Sequence, residues 1–493
     1  MKHGLLFLII LFSLSVSAQE RNVRDDFFRE AEQSRNDFKK EWRQSKQDYI
    51  AFRNQANLEY IENLKQAWKE FAAYKKIPQP KDDTVPPIIY EGKEEQEQES
   101  KEVPVVEVVP VVKTQPQPEP IAPIIENNLA DNTIEISLYQ TKIAVRVPKD
   151  HTIHLAQLSD NSIVDAWGKL SGEDFSNLIH DCLNARKSLA LSDWAYIKFL
   201  QLVSEKLYGK SNEAVLLQAY IYAQSGYSMR LAYGNKNRLY LLVESQYELY
   251  ELSYFVISKR KFYPLNCEEQ QLFISDAGFQ TEKAMSLQIP YEQKFQYTPS
   301  KSKEYTSREG MKVKCEVNIN DIDFYNTYPT GQLGEDFGTR WATYANVPMN
   351  KKIRDTFYPQ IKLYLTGLSE KESVGKILNW VQTSFEYKKD DLVWGHDRAF
   401  FPSETLYYPY CDCEDRSILF SRIVRDVLHL DVVLLYYPGH LATAVHFNED
   451  VKGDYLMVKG KKYIVCDPTY IGAPVGDTMP NMNNQSAKVI VLN

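Results

Sequence analysis

The amino-acid sequence predicts an α+β fold: a helical N-terminal arm, then globular stretches in which helices and strands alternate without a regular βαβ rhythm. Three observations lead there. Stretches with a helical apolar period, such as Ser373–Phe385, stand beside stretches that alternate residue by residue, such as Lys312–Val317. Hydrophobic residues make up 43% of the 493, enough to bury at least one sizeable core. Near the C-terminus a helix is followed by three strands, with Cys, His and Asp at the ends of these elements.

The composition also excludes. Lys and Arg number 58 against 66 Asp and Glu, so there is no basic excess and no nucleic-acid partner is expected. Six cysteines in a chain of this length do not form a disulfide scaffold.

Taken in order, residues 1–18 have a basic start, an apolar run from Leu5 to Leu14 and small residues ending at Ala18. That is the pattern of a cleavable signal peptide, cut after Ala18, and it predicts a periplasmic or secreted protein. No later window holds ~18 unbroken apolar residues, so no membrane-spanning helix is expected after cleavage. Residues 19–77 are charged and free of Gly and Pro. Their aromatic stripe (Phe38, Trp42, Tyr49, Phe52, Tyr60, Trp68, Phe71) predicts one long helix or a helical hairpin, a docking or spacer arm able to meet an envelope partner.

Residues 78–128 are rich in Pro and Glu and read as an extended linker, with VPVVEVVPVV its one segment apolar enough to dock as a strand. Residues 129–268 read as an α+β domain, with helices over Leu183–Leu207 and Glu213–Gln224 and strands over Tyr227–Tyr233 and Arg238–Glu244. Residues 269–348 read as a β-rich connecting region, and 349–493 as the catalytic domain.

The chemistry concentrates in the last of these. Cys413 stands where Asp412, Glu414 and Asp415 open an amphipathic helix, and a helix N-terminus lowers a thiol pKa, although the two acidic neighbours oppose this unless they point outward. A strand, the turn Pro438-Gly439 and a second strand follow. On that second strand His440, Ala442, Ala444 and His446 share a face, which the alanines leave open for the helix. His440 can take the thiol proton, and His446 is a second candidate of the same parity. A further strand ends in Asp467-Pro468, where a carboxylate can orient the imidazole. Cys413, His440 and Asp467 follow one another at equal spacings of 27 residues. Cys411 is either a mere neighbour or a disulfide partner for Cys413 or Cys466. No metal site or cofactor is expected, because no second Cys or His pair stands at ligand spacing. The backbone N–H of Cys413 is the default oxyanion donor, with Tyr407, Tyr408 and Tyr410 as further candidates.

In these motifs the chain resembles the transglutaminase-like superfamily of papain-like cysteine enzymes. The resemblance rests on Asp412-Cys413-Glu414-Asp415, Gly439-His440 and Asp467-Pro468-Thr469, together with a lead-in helix at Ile377–Gln382 followed by Phe385-Glu386-Tyr387. It spans residues 371–474 and is nearer to bacterial cysteine proteases than to animal cross-linking enzymes. It implies a papain-like C-terminal domain and thiol acyl transfer, with Cys413 as nucleophile, His440 as base and Asp467 as orienter.

The chain also resembles itself. At an offset of 203, Ala214–Ala223 aligns with Ser417–Asp426 and Met229–Tyr233 with Val432–Tyr436; after one gap, Arg238 falls on His440. Lys210 falls on Cys413, and no Asp-Pro follows near Tyr263. Either residues 129–268 are a degenerate copy of the same fold, or any helix–strand–strand unit aligns this well; a different strand order would dispose of the copy. The expected function is that of an exported cysteine enzyme cutting amide or peptide bonds through a thioester, with hydrolysis ahead of cross-linking. The alternative is a non-catalytic envelope scaffold on papain-like domains. Substrate identity stays open among protein, peptidoglycan peptide and small amide.

Overall fold

The computed structural model describes residues 29, 33–38, 40–41, 44, 51–66, 68–80, 85–92, 100–109, 113–122, 124–155, 157–265, 267, 269–480, 482 and 487–493. The expected leader and most of the arm before residue 51 lie outside the described residues. Within them the chain is a mixed α+β molecule organised on two six-stranded sheets. No helix among the described residues is long and apolar enough to cross a membrane.

The two sheets have the same strand order. The first runs Trp68–Ala72, Gln271–Ser275, Met229–Tyr233, Leu239–Glu244, Arg260–Pro264, Phe255–Ile257. The second runs Val105–Val109, Ala487–Val491, Val432–Tyr437, His440–Val445, Lys461–Cys466, Tyr455–Val458. In each, a helix precedes the first hairpin strand, Asn212–Gln224 in one and Cys413–Leu428 in the other. Only the outermost strand differs in direction: Trp68–Ala72 is antiparallel to its neighbour and Val105–Val109 is parallel.

Register makes the correspondence specific. His440 faces Tyr437 at the end of one hairpin ladder, and Leu239 faces Tyr233 at the end of the other, with Arg238 the residue before it. A cavity of about 590 Å³ opens there, lined by Lys210, Asn212, Arg238 and Leu265 among others.

Local chemistry explains the two helices. Ser211 caps the first by accepting from Ala214 N–H, and Asp412 caps the second by accepting from Glu414 N–H while Asp415 completes a reciprocal capping box. The second helix ends at His429, whose left-handed φ of 58° turns the chain into the sheet. Its Leu419, Phe420, Ile423 and Val424 pack against Ile353, Phe357 and Ile361 of helix Lys351–Leu365 and against Val374, Ile377, Trp380 and Val381 of helix Glu370–Ser384. A larger core gathers the helices of the first half around Trp167, Leu200, Leu217 and Tyr220, and takes in Tyr60 and Leu64 of the arm.

Several expectations need correction. The arm helix stops at residue 64, and Trp68–Ala72 is an edge strand on Gln271–Ser275; Trp and Phe suit a half-buried strand, and pairing to an open edge outweighs helical spacing. The linker is likewise not free: Val105–Val109 closes the edge of the second sheet, where β-branched residues are favoured and Pro104 before the strand suits an edge position. Leu183–Leu207 is two helices, Ser176–Ser188 and Asp193–Tyr208, separated at Ala190 (φ 50°) and restarted by the Ser192 cap. The connecting region holds the predicted alternating hairpin, Lys303–Thr306 with Lys312–Cys315, but also the helices Ile319–Tyr325 and Thr339–Ala345, each of seven residues and so too short to show a period.

Tyr60 and Leu64 are 1% and 0% exposed, so the arm is part of the first core rather than a spacer. Leu64→Ala should cost about 2–5 kcal/mol of stability by urea unfolding. A loss within about 0.5 kcal/mol, as at an indifferent surface site, would show the arm to be dispensable.

Candidate active site

Cys413 is the first residue of its helix, and its thiol meets the backbone N–H of Leu441, the residue after His440. Helix and strand are tied at the same level, because Ser417 Oγ donates to the Leu441 carbonyl at 2.7 Å. The imidazole of His440 is bonded through Nε2 to Asp467 Oδ2 at 2.8 Å. Asp467 is itself fixed: its Oδ1 accepts from Thr469 N–H at 2.8 Å and Tyr470 N–H at 3.2 Å, a tight turn that holds the carboxylate toward the ring. The structure therefore gathers all three predicted residues at one end of the second sheet. All are buried, at 2%, 2% and 3% exposure.

His440 Nδ1 is buried with no hydrogen-bond partner. With the ring proton on Nε2 facing the carboxylate, Nδ1 carries a lone pair, which is the form a proton acceptor needs. The ring of Tyr437 stacks on the imidazole at 6.4 Å between centroids.

The electrostatics differ from expectation at the sulfur. Burial pushes the Cys413 thiol well above its usual pKa, the Asp412 and Glu414 side chains push it further, and only the Leu441 N–H works the other way. The helix terminus does not prevail because the acidic neighbours turn inward, with Glu414 and Asp415 8% and 0% exposed. Glu414 is held by buried Arg340, which bonds its Oε1 at 2.9 Å and Asp397 Oδ2 at 2.6 Å.

The alanine face is also corrected. Ala442 and Ala444 pack with Val433, Leu435 and Val465, in a cluster that contains no residue of the Cys413 helix, whereas Leu441 shares its cluster with Ile418 of that helix. Leu441, not an alanine, is thus the strand's apolar contact with the helix near the thiol. His446 is about 20 Å along the strand from His440, six residues at ~3.3 Å each. Its Nδ1 bonds the Lys462 carbonyl, so it takes no part in the site.

All six cysteines are free thiols. Cys411 Sγ accepts from Arg416 Nε at 3.4 Å, and Cys466 is in the strand facing Thr443. Of the tyrosines expected as oxyanion donors, Tyr408 donates to Asn326 Oδ1, and Lys388 and Lys303 lie over the rings of Tyr410 and Tyr407. Carboxylates of Asp390, Asp412 and Asp415 come within 4.8 Å of one another. Each carries a backbone amide (Arg398, Glu414, and both Phe400 and Asp412 respectively), and burial raises all three, Asp390 to about 9. They serve as caps and loop anchors.

Sequence reasoning overlooked the residues that hold the site. Gln382 Nε2 donates to the Asp467 and Ala473 carbonyls, and its Oε1 accepts from Gly472 N–H, so one carboxamide clamps the loop after Asp467. Arg416, 1% exposed, ties the Gln382 and Phe385 carbonyls to the Cys413 helix. A glutamine four residues beyond Leu378, on the apolar face of its helix, was the available signal. Tyr387 is the third: burial raises its phenol, and Cys413 is the next largest influence on it.

Because the thiol is raised by burial, its alkylation by iodoacetamide should keep accelerating above pH 9 in the native protein. A rate that levels off near neutral pH would show a depressed pKa and contradict this electrostatic reading. In comparisons with known proteins, no family model matches the chain and no curated protein matches its sequence.

Proposed function

We propose that the protein is an exported thiol enzyme that cleaves amide or peptide bonds, on a papain-like second half of which residues 129–268 are a degenerate copy. The observation that carries the reading is the His440–Asp467 pair with Nδ1 unpartnered, at the strand end where Leu441 N–H meets a thiol at a helix N-terminus. His440 Nδ1 accepts the Cys413 proton, Sγ attacks the carbonyl carbon, and the imidazolium returns the proton to the leaving amine. Asp467 holds the tautomer and stabilises the imidazolium. Water then attacks the thioester, with His440 again as base, and releases the acid. Hydrolysis needs no second binding site, whereas cross-linking needs one for an amine. The identical strand order supports the copy, and Arg238, which the internal sequence repeat sets against His440, leaves it without the base. Export rests on the leader pattern of Met1–Ala18.

One observation favours the second reading, a non-catalytic scaffold: the thiol is buried and held protonated. Incubation with a mixed peptide library, read by mass spectrometry, separates the two. Cys413→Ala should abolish cleavage, by about 10³-fold or more, with the fold intact. Asp467→Asn should lower it by about 10²-fold or more. Undiminished cleavage by the alanine variant would falsify the assignment.

A further inference from the structure

The segment Val85–Tyr90, in the region expected to be a free linker, is laid along the rim of the triad. Val85 N–H donates to the Gly439 carbonyl at 2.8 Å, immediately before His440. Ile471 N–H donates to the Ile88 carbonyl at 2.8 Å, and Tyr90 N–H to the Ile471 carbonyl at 2.9 Å, four residues after Asp467. This is parallel strand pairing centred on Ile89. The Tyr387 hydroxyl donates to the Val85 carbonyl at 3.4 Å. The segment therefore touches the residue before His440, the loop after Asp467 and the Tyr387 hydroxyl.

Its side chains sort as a docked strand's do. Val85, Ile88 and Tyr90 pack on Tyr470, Ala473 and Met479, with the Tyr90 and Tyr470 rings edge to face at 5.4 Å. Ile89 points to solvent, 63% exposed. Each hydrogen bond uses a backbone group of the segment, which any polypeptide could supply, and around the paired Ile89 the side chains alternate, Ile88 and Tyr90 inward and Ile89 outward, as in strand addition. Pro86 and Pro87 stiffen the segment, which lowers the entropy lost on docking.

We propose that this groove is the substrate site for an extended peptide with apolar side chains, and that Val85–Tyr90 fills it in cis and keeps the thiol latent. The proposal rests on the thiol-enzyme reading and adds to it a substrate class and a restraint. It accounts for a thiol that is buried although the His440–Asp467 pair is assembled. Release of the segment exposes the sulfur, and burial is the first cause of its raised pKa.

The test uses the full reduced protein, iodoacetamide at neutral pH, and quantification of alkylated Cys413 against fully buried Cys182. Two variants release the segment differently: Ile88→Asp puts a charge against its apolar seat, and Val85→Pro removes the N–H that Gly439 accepts. Each should raise Cys413 labelling about 10-fold or more. The capped peptide Val-Pro-Pro-Ile-Ile-Tyr should return labelling toward the wild-type rate, whereas a scrambled peptide should not. Unchanged labelling in both variants, with Cys413 already faster than Cys182 in the wild type, would overturn the latch and leave the thiol reading standing. Cys413 no faster than Cys182 in any of the proteins would overturn both. A rise that the peptide does not reverse would overturn the groove as a peptide site. A rise shared by Cys182 in both variants would mean global opening and also count against the proposal.

Discussion

The hydrogen bond between His440 and Asp467 is the constraint on which the rest of the site depends. It joins two strands' ends inside a dry part of the molecule, where an unpaired carboxylate or imidazole would be expensive. Once Nε2 is committed to the carboxylate, the ring has one nitrogen left, and the fold gives that nitrogen no partner. Much of the surrounding structure serves to keep this bond in place. The turn at Thr469 and Tyr470 aims the carboxylate, Gln382 clamps the loop, and Arg416 fastens that clamp to the helix bearing Cys413.

The repeated strand order shows how little of the architecture the chemistry needs. Both sheets are fed by a capped helix and run through the same hairpin register. In one, Cys413 and His440 stand at the helix start and the strand start; in the other, Asn212 opens the helix and Arg238 precedes the strand, and both line a cavity.

The elements with strong local signals were legible. The Cys413 helix declared itself by its acidic cap and apolar period, and the hairpin by Pro438-Gly439 between β-branched runs. The triad was legible because each member sits at an element's end, where local rules are strongest. Long-range pairing was not legible. Trp68–Ala72 and Val105–Val109 become strands only because a distant edge is open to them, at Gln271–Ser275 and Ala487–Val491. The same limit hid the inward turn of Glu414 and Asp415, which depends on Arg340 and on the Phe400 amide, far away in sequence. It also hid the docked segment 85–90, whose prolines suggested a tether.

The central claim is that the Cys413 sulfur forms a bond to an acyl group with the help of His440. The direct measurement is an acid quench during incubation with an apolar peptide amide, followed by mapping of the acyl adduct on the protein. The account predicts an adduct on Cys413 that disappears when the sample is returned to neutral pH and that never forms in the His440→Ala protein. No adduct, an adduct on another cysteine, or one formed equally well without His440 would contradict it.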